Sequence, residues 1–85
     1  MSYSVEWSDD ARNQLAATWL QHVAARQAIT SAQNQIDRLL AADPLRNAVS
    51  AVEELYFSEV APLRAQYEIS DAGRLVTVVA VRWRP

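Results

Sequence analysis

The side chains best able to do chemistry in this chain are its arginines. There are eight, with no lysine and a single histidine. A guanidinium is a planar fork of donors that grips phosphate or carboxylate through paired hydrogen bonds, but with a pKa above ~12 it is a poor base. Arg64 and Arg82 fall where the pattern reads as strand, and Arg84 directly follows the last one. Arg82 and Arg84, two positions apart, emerge on one side of it. The other reactive types are sparse. His22 is the one imidazole, on a helical segment, where a lone histidine reads as a surface or interface residue rather than a general base. With no cysteine and one histidine, a zinc site is nearly excluded. One glycine, Gly73, cannot build a phosphate-cradling loop, and no serine sits in a nucleophile elbow. Asp9-Asp10 and Glu53-Glu54 are adjacent pairs whose carboxylates diverge on a helix or strand. The residues therefore designate no catalytic group, metal or cofactor. They leave Arg64, Arg82 and Arg84 as the candidate binding set.

The elements that must position these arginines follow from periodicity. Tyr3 to Trp7 alternates, with Tyr3, Val5 and Trp7 on one face, and predicts a half-buried strand. Ser8 is a natural N-cap, followed by Asp9 and Asp10 where the helix dipole favours acids. A helix from Asp9 to about Ala24 then places Ala11, Leu15, Trp19 and Val23 on one stripe, with Leu20 beside it. A short break near residues 24–27 precedes a second helix, whose stripe is Ile29, Ala32, Ile36, Leu39 and Leu40. It ends near Ala42, because the residue before Pro44 avoids the helical region. A short break implies an antiparallel helical hairpin. Residues 45–50 read as loop, and residues 52–57 as a strand. Pro62 opens another strand over residues 63–69, Ser70 to Arg74 forms a turn with Gly73 free to take positive φ, and a last strand covers residues 75–83. That last strand is so rich in valine that it predicts a central position with both faces buried. Trp7, Trp19 and Trp83 read as core anchors.

The order is β-α-α-β-β-β. Two striped helices need a sheet face to cover, so residues 1–85 form one two-layer α+β domain, a helical hairpin packed on a mostly antiparallel sheet. If Ile69 lies opposite Leu75 in the final hairpin, Arg64 faces Ala80 and Pro62 faces Arg82. The guanidiniums of Arg64 and Arg82 are then diagonal neighbours on one face, and Arg84 follows them. Leu63, Ala65, Tyr67, Val79, Val81 and Trp83 turn to the helices. The arginines suit an anionic partner. They suit equally well pairing with Glu53, Glu54, Glu59 or Glu68, or a simply solvated face.

The composition sets bounds. The net charge is −2, so this is not the broadly basic surface of a general nucleic-acid binder, and anion recognition has to be local. Absence of cysteine excludes a disulfide scaffold and allows a reducing compartment. No apolar run approaches a membrane span, and residues 1–7 lack the basic and apolar regions of a signal peptide, so the expected location is the cytoplasm.

The run Tyr3-Ser4-Val5-Glu6-Trp7-Ser8-Asp9-Asp10-Ala11, the segment from Ala32 through Ile36-Asp37 and Leu39-Leu40 to Asp43-Pro44, and Pro62-Leu63-Arg64-Ala65-Gln66-Tyr67-Glu68-Ile69 followed by Val76-Thr77-Val78-Val79-Ala80-Val81 together resemble the RelE/ParE toxin superfamily of type II toxin–antitoxin systems, often described as plasmid-stabilisation toxins. The resemblance extends over nearly the whole chain, including element order. It implies a cognate antitoxin partner whose extended or helical segment wraps the toxin. It implies one of two activities: ribosome-dependent cleavage of messenger RNA, in which Arg64 and Arg82 match basic residues of the catalytic sheet face, or poisoning of DNA gyrase by binding. RelE-like nucleases are basic, rich in lysine and continue past the last strand to a tyrosine or histidine; this chain is acidic, lacks lysine and reads to Pro85. The expectation is a toxin that binds a gyrase-like target through Arg64, Arg82 and Arg84. Alternatives are a nuclease using Arg64 and Arg82, or a non-toxic interaction module with the same fold, as a monomer or homodimer.

Overall fold

A computed structural model describes residues 2–46, 48–52 and 55–85, with residues 51 and 52 described by their backbone alone. The chain folds as β1 (Ser4–Trp7), α1 (Asp9–Gln21), a 3-10 turn (Val23–Ala25), α2 (Arg26–Ala42), β2 (Val49–Val52), β3 (Leu55–Val60), β4 (Leu63–Ser70) and β5 (Leu75–Trp83). The strands make one sheet in the order β1-β5-β4-β3-β2. β1 runs parallel to β5, and every other pair is antiparallel. Both helices pack on one face of it, giving the expected two-layer α+β domain. No helix among the described residues is long and apolar enough to cross a membrane.

The first helix begins as its cap dictates. The Ser8 hydroxyl accepts from the Ala11 amide at 3.1 Å, satisfying one of the donors that an α-helix leaves free at its start. Its end has neither glycine nor proline. His22 closes it instead, its amide donating to the Thr18 carbonyl at 3.1 Å, and the Arg26 Nε donates to the Trp19 carbonyl at 2.9 Å. A cationic donor such as the Arg26 guanidinium at a helix C-terminus satisfies an orphan carbonyl and suits the dipole. The helix therefore stops at Gln21, earlier than the apolar pattern predicts. Its buried line is Ala11, Leu15 and Thr18; Trp19, Leu20 and Val23, expected in the stripe, lie 39%, 63% and 65% exposed. The second helix buries Ile29, Ala32, Ile36 and Leu40 as its periodicity requires and leaves Leu39 outside.

The core joins that stripe to Leu63, Ala65 and Tyr67 of β4 and Val76, Val78 and Val81 of β5. Tyr67 is fully buried, and its hydroxyl donates to the Pro44 carbonyl at 2.6 Å. This bond ties the segment after α2 to the middle strand. Trp7 and Trp83 are half-buried against the core, whereas Trp19 is outside it, its ring covered by the Arg26 guanidinium at 4.0 Å. The core is aliphatic around one tyrosine, and of the three expected tryptophan anchors two lie at its margin. Trp7 Nε1 donates to Asp37 at 2.7 Å, joining β1 to α2. Trp7→Phe is expected to destabilise the fold by about 1 kcal/mol, the net worth of a partly solvated hydrogen bond to a charged acceptor. An unchanged urea midpoint would show that water serves Asp37 equally well.

Four further expectations are corrected. The strand expected over residues 52–57 is two strands, β2 and β3, paired antiparallel with a shift between Ser50 and Val52. β2 is a short edge strand of small residues without strong alternation, and its pairing partner, not its own pattern, makes it a strand; Glu53 and Glu54 lie outside the described residues. In the 70–74 turn it is Arg74, not Gly73, that takes positive φ, at 49°. The Arg74 carbonyl accepts from Ser4 at 2.8 Å and its guanidinium lies over the Tyr3 ring, so contacts to β1 hold that residue in a conformation glycine would adopt more easily. The helices cover one face of β5 and leave the other half-exposed, so the strand is central in order but not buried on both sides. Finally, the β4–β5 register differs. Ser70 pairs with Leu75 and Tyr67 with Val78, while Gln66 pairs with Ala80. Val79 is thus the extra residue of a bulge, which exchanges the faces of β5 part-way along: Val76 and Val78 are buried before it and Val81 after it.

Candidate functional site

The bulge decides where the arginines stand. With it, Arg64 lies directly opposite Arg82; without it, the register set by Ser70 and Leu75 would put Val81 there, and the expected pairing of Ile69 with Leu75 would put Ala80 there. Directly opposite residues project to the same face, and on β4 that face is the one away from the helices, because Leu63, Ala65 and Tyr67 are buried on the other. On β3, Glu59 lies directly opposite Arg64. Glu59, Arg64 and Arg82 therefore form a row across three neighbouring strands on the uncovered side of the sheet. The tight link through Ala61 and Pro62 fixes the β3–β4 register by pairing Val60 with Leu63. Arg84 lies one residue beyond the last strand, held by its amide donating to the Pro62 carbonyl at 2.7 Å.

The three arginines are not equivalent. Arg64 is restrained: its guanidinium sits 3.7 Å from the centre of the Phe57 ring, and Nε lies 3.9 Å from the Glu59 carboxylate. Its side chain is 25% exposed, and Nε is buried with no hydrogen-bond partner. At that distance and with Glu59 half exposed, the ion pair is weak and screened by solvent. The stacking against Phe57 fixes the plane of the guanidinium more firmly. Arg82 and Arg84 are exposed. Two cations directly across a strand pair repel, and the Glu59 carboxylate relieves that repulsion from the other side. Among the candidates the sequence offered to pair with the arginines, Glu59 does so with Arg64. Glu68 lies further along β4, opposite Leu55 and Thr77, and Glu53 and Glu54 are outside the described residues.

Phe57 is the functional neighbour that the sequence reading missed. A single strand over residues 52–57 gives no register for it; with β3 running to Val60, Phe57 and Glu59 alternate onto the arginine face. The two-residue link before Leu63 was the signal that pairs them with Arg64. His22 lies on the other side of the sheet. Its ring stacks on Trp83 at 3.7 Å between centres and 20° between planes, and Nδ1 lies 3.0 Å from the Thr18 carbonyl. Among the described residues no group of three or more histidine, cysteine or acidic side chains could hold a metal. Between α1 and α2 runs an open cleft of about 600 Å³, lined by Trp7, Leu15, Trp19, Leu20 and Ile29, with Asp37 at its floor.

This architecture is that of known proteins. A chain of the toxin–antitoxin complex RelBE2 from Mycobacterium tuberculosis superposes with a TM-score of 0.77 over 99% of this chain and 93% of that one, at 20% identity. A chain of the chromosomal ParDE toxin–antitoxin system of P. aeruginosa gives 0.78 over 98% and 97%, at 17% identity. The chain has the RelE/ParE fold. A form of toxin RelE from E. coli carrying alanine at two arginine positions, in the free state, gives 0.67 over 95% of this chain and 82% of that one, at 16% identity. No family model and no curated protein sequence matches the chain. The RelE/ParE likeness expected from the short motifs is therefore carried by the backbone, at sequence identities that fix the fold and leave the activity open.

Proposed function

We propose that this chain is the toxin of a type II toxin–antitoxin pair, and that it inhibits growth by binding a target through its arginine face. The observation that carries the reading is the direct opposition of Arg64 and Arg82 on the uncovered side of a RelE/ParE-fold sheet, with Arg84 beside them. Like charges opposed at this distance are unfavourable in the isolated domain. An anionic partner that bridges them converts the repulsion into charge-assisted hydrogen bonds. The RelE form cited above lacks two arginines that stand two positions apart, the spacing of Arg82 and Arg84 here.

Binding is favoured over cleavage by the chemistry around the row. Attack by a ribose hydroxyl needs a proton acceptor within hydrogen-bond reach as well as phosphate stabilisation. The arginines supply the second. The one imidazole is stacked on Trp83 on the opposite face, and the Glu59 carboxylate is turned to Arg64. The partner that restrains such a toxin is a cognate antitoxin, and the exposed Trp19 and Leu20, beside the half-buried Leu15 along the helical cleft, are the surface that such a partner would cover.

Induced expression of the chain without its genomic neighbours is expected to arrest growth, and Arg64→Ala combined with Arg82→Ala to restore it while the domain stays folded by circular dichroism. Arrest should come with inhibited gyrase supercoiling and intact messenger RNA. Normal growth on expression of soluble wild-type protein removes the toxin reading. Codon-linked cuts in ribosome-bound messages replace binding with nuclease action.

A further inference from the structure

The uncovered face of the sheet carries charge in two rows, and the arginines make one of them. β1 packs Val5 and Trp7 against the core and so turns Glu6 to the open side. Glu6 pairs with Thr77 of β5, and Thr77 with Glu68 of β4. Glu6 and Glu68 are both exposed and flank Thr77, in a row that Leu55 of β3 continues. Four positions back along β4 from Glu68, roughly 13 Å at the usual strand rise, lies Arg64, with Arg82 directly opposite it. Between the two rows runs a third, Ala80, Gln66, Phe57 and Val49, each the direct pairing partner of the next. It carries no charge. Among the described residues Glu6, Glu68 and Arg82 have no ion-pair partner, and Arg64 has only its weak contact with Glu59.

We infer that two copies of this chain associate through this face, sheet on sheet, about a two-fold axis that runs along the uncharged row. Such an axis lays each strand over its own copy with its direction reversed. Arg64 then meets Glu68 of the second copy, and Arg82 comes over Thr77 of the second copy, between its Glu6 and its Glu68. The two-fold repeats both contacts, so four guanidiniums are matched with four carboxylates, while Glu59 stays with Arg64 of its own copy. Aligned sheets pack ~10 Å apart, a gap that an arginine and a glutamate reaching towards one another span. Residues on the axis of such an interface meet themselves, and these are suited to it. Gln66 offers its copy both a donor and an acceptor, Ala80 is small, and Phe57 and the exposed Val49 are apolar. A charge at any of these positions would repel its own copy. An anion large enough to cover the whole face is repelled by Glu6 and Glu68, whereas a second copy answers both rows. Five strands at ~4.8 Å spacing give a face of about 500 Å² a copy, at the lower limit of specific interfaces, so the expected Kd is about 10–100 μM. The dimer covers Arg64 and Arg82. On the toxin reading of those residues, self-association and target binding exclude one another; the dimer itself does not rest on that reading.

The test is sedimentation velocity of the full chain over a concentration series up to about 1 mM. The wild type should pass from monomer to dimer, and its Kd should rise about tenfold between ~0.05 and ~0.5 M salt, as screened ion pairs require. Glu6→Arg with Glu68→Arg makes both rows cationic, and Arg64→Glu with Arg82→Glu makes both anionic. Each variant alone should be monomeric, and an equimolar mixture of the two should dimerise again. Arg64 is stacked on Phe57, so a variant that leaves both in place, Glu6→Gln with Glu68→Gln, decides the matter if a reversal fails to fold by circular dichroism. It should weaken association at least tenfold. A wild type monomeric at 1 mM, a dimer that persists in either folded reversal, unchanged affinity in the glutamine variant, or a mixture of folded reversals that stays monomeric would each overturn the proposal. Growth arrest on induction reports on the toxin reading alone, so the two can fail independently.

Discussion

Tyr67→Ala is expected to remove most of the stability of this domain. Truncating a fully buried aromatic ring costs about 3–5 kcal/mol through lost burial and the cavity left behind. A chain of this length holds only about 4–13 kcal/mol in total. Tyr67 stands at the centre of the middle strand, fully buried, and its hydroxyl donates to Pro44 at 2.6 Å. Tyr67→Phe separates the two contributions. It keeps the ring and leaves the Pro44 carbonyl without its donor, an expected loss of about 1–3 kcal/mol by denaturant unfolding. Equal midpoints for Tyr67→Phe and wild type would mean that solvent reaches that carbonyl. Burial raises the pKa of the Tyr67 phenol above the ordinary tyrosine value. The folded state then keeps a proton that the unfolded chain releases. The associated stability is whole below pH about 10, the unfolded value, and is lost as pH rises through the higher folded value. Tyr67→Phe should therefore lose part of the wild-type decline at alkaline pH.

Arg82→Glu combined with Arg84→Glu is expected to act in opposite directions on function and on stability. Growth inhibition, if it runs through the arginine face, should fall by about a hundredfold or more, since charge-assisted bonds to an anionic partner are worth about 1.5–3 kcal/mol each. Stability should hold or rise, because Arg82→Glu turns a cation–cation pair opposite Arg64 into an attractive one, worth about 0.2–1 kcal/mol. Glu59 flanks Arg64 on the other side and is unchanged in this variant. Variants that keep full growth inhibition while gaining stability would locate the target contact elsewhere, on the helical cleft or on another part of the sheet. Loss of both function and fold would mean that Arg82 is structural.

Much of this fold was legible along the chain because its signals are local. Ser8 caps a helix through its own hydroxyl, and Asp43-Pro44 ends one because the proline ring restricts the residue before it. Ile29, Ala32, Ile36 and Leu40 repeat at helical spacing and all four are buried. The alternation over residues 63–69 needs no partner to be read. The failures share a different cause. α1 ends early because the chain turns back through residues 23–25, and Arg26, returned by that turn, satisfies the Trp19 carbonyl. β2 exists because β3 pairs with it. Trp19 lies outside the core because the buried line of α1 passes through Thr18, a choice made by the sheet beneath it.

The same division runs through the candidate site. That Arg64 and Arg82 share a face was readable, because the expected and the observed registers at that end of the hairpin have the same parity. That they are directly opposed, with Val79 bulged out, was not. A bulge exchanges the faces of a strand without leaving a mark in a run such as Val76 to Val81, which is apolar but for Thr77. Phe57 and Glu59 reach the arginine row through pairing with β4, and Glu6 joins the same face through the pairing of β1 with β5. The sequence by itself determined which residues are helical, which alternate and how many cations are available, since these depend on neighbours within a few positions. Only the tertiary structure decided which cation is stacked, which are exposed and which acids share their face, since these depend on contacts between segments that no local pattern encodes.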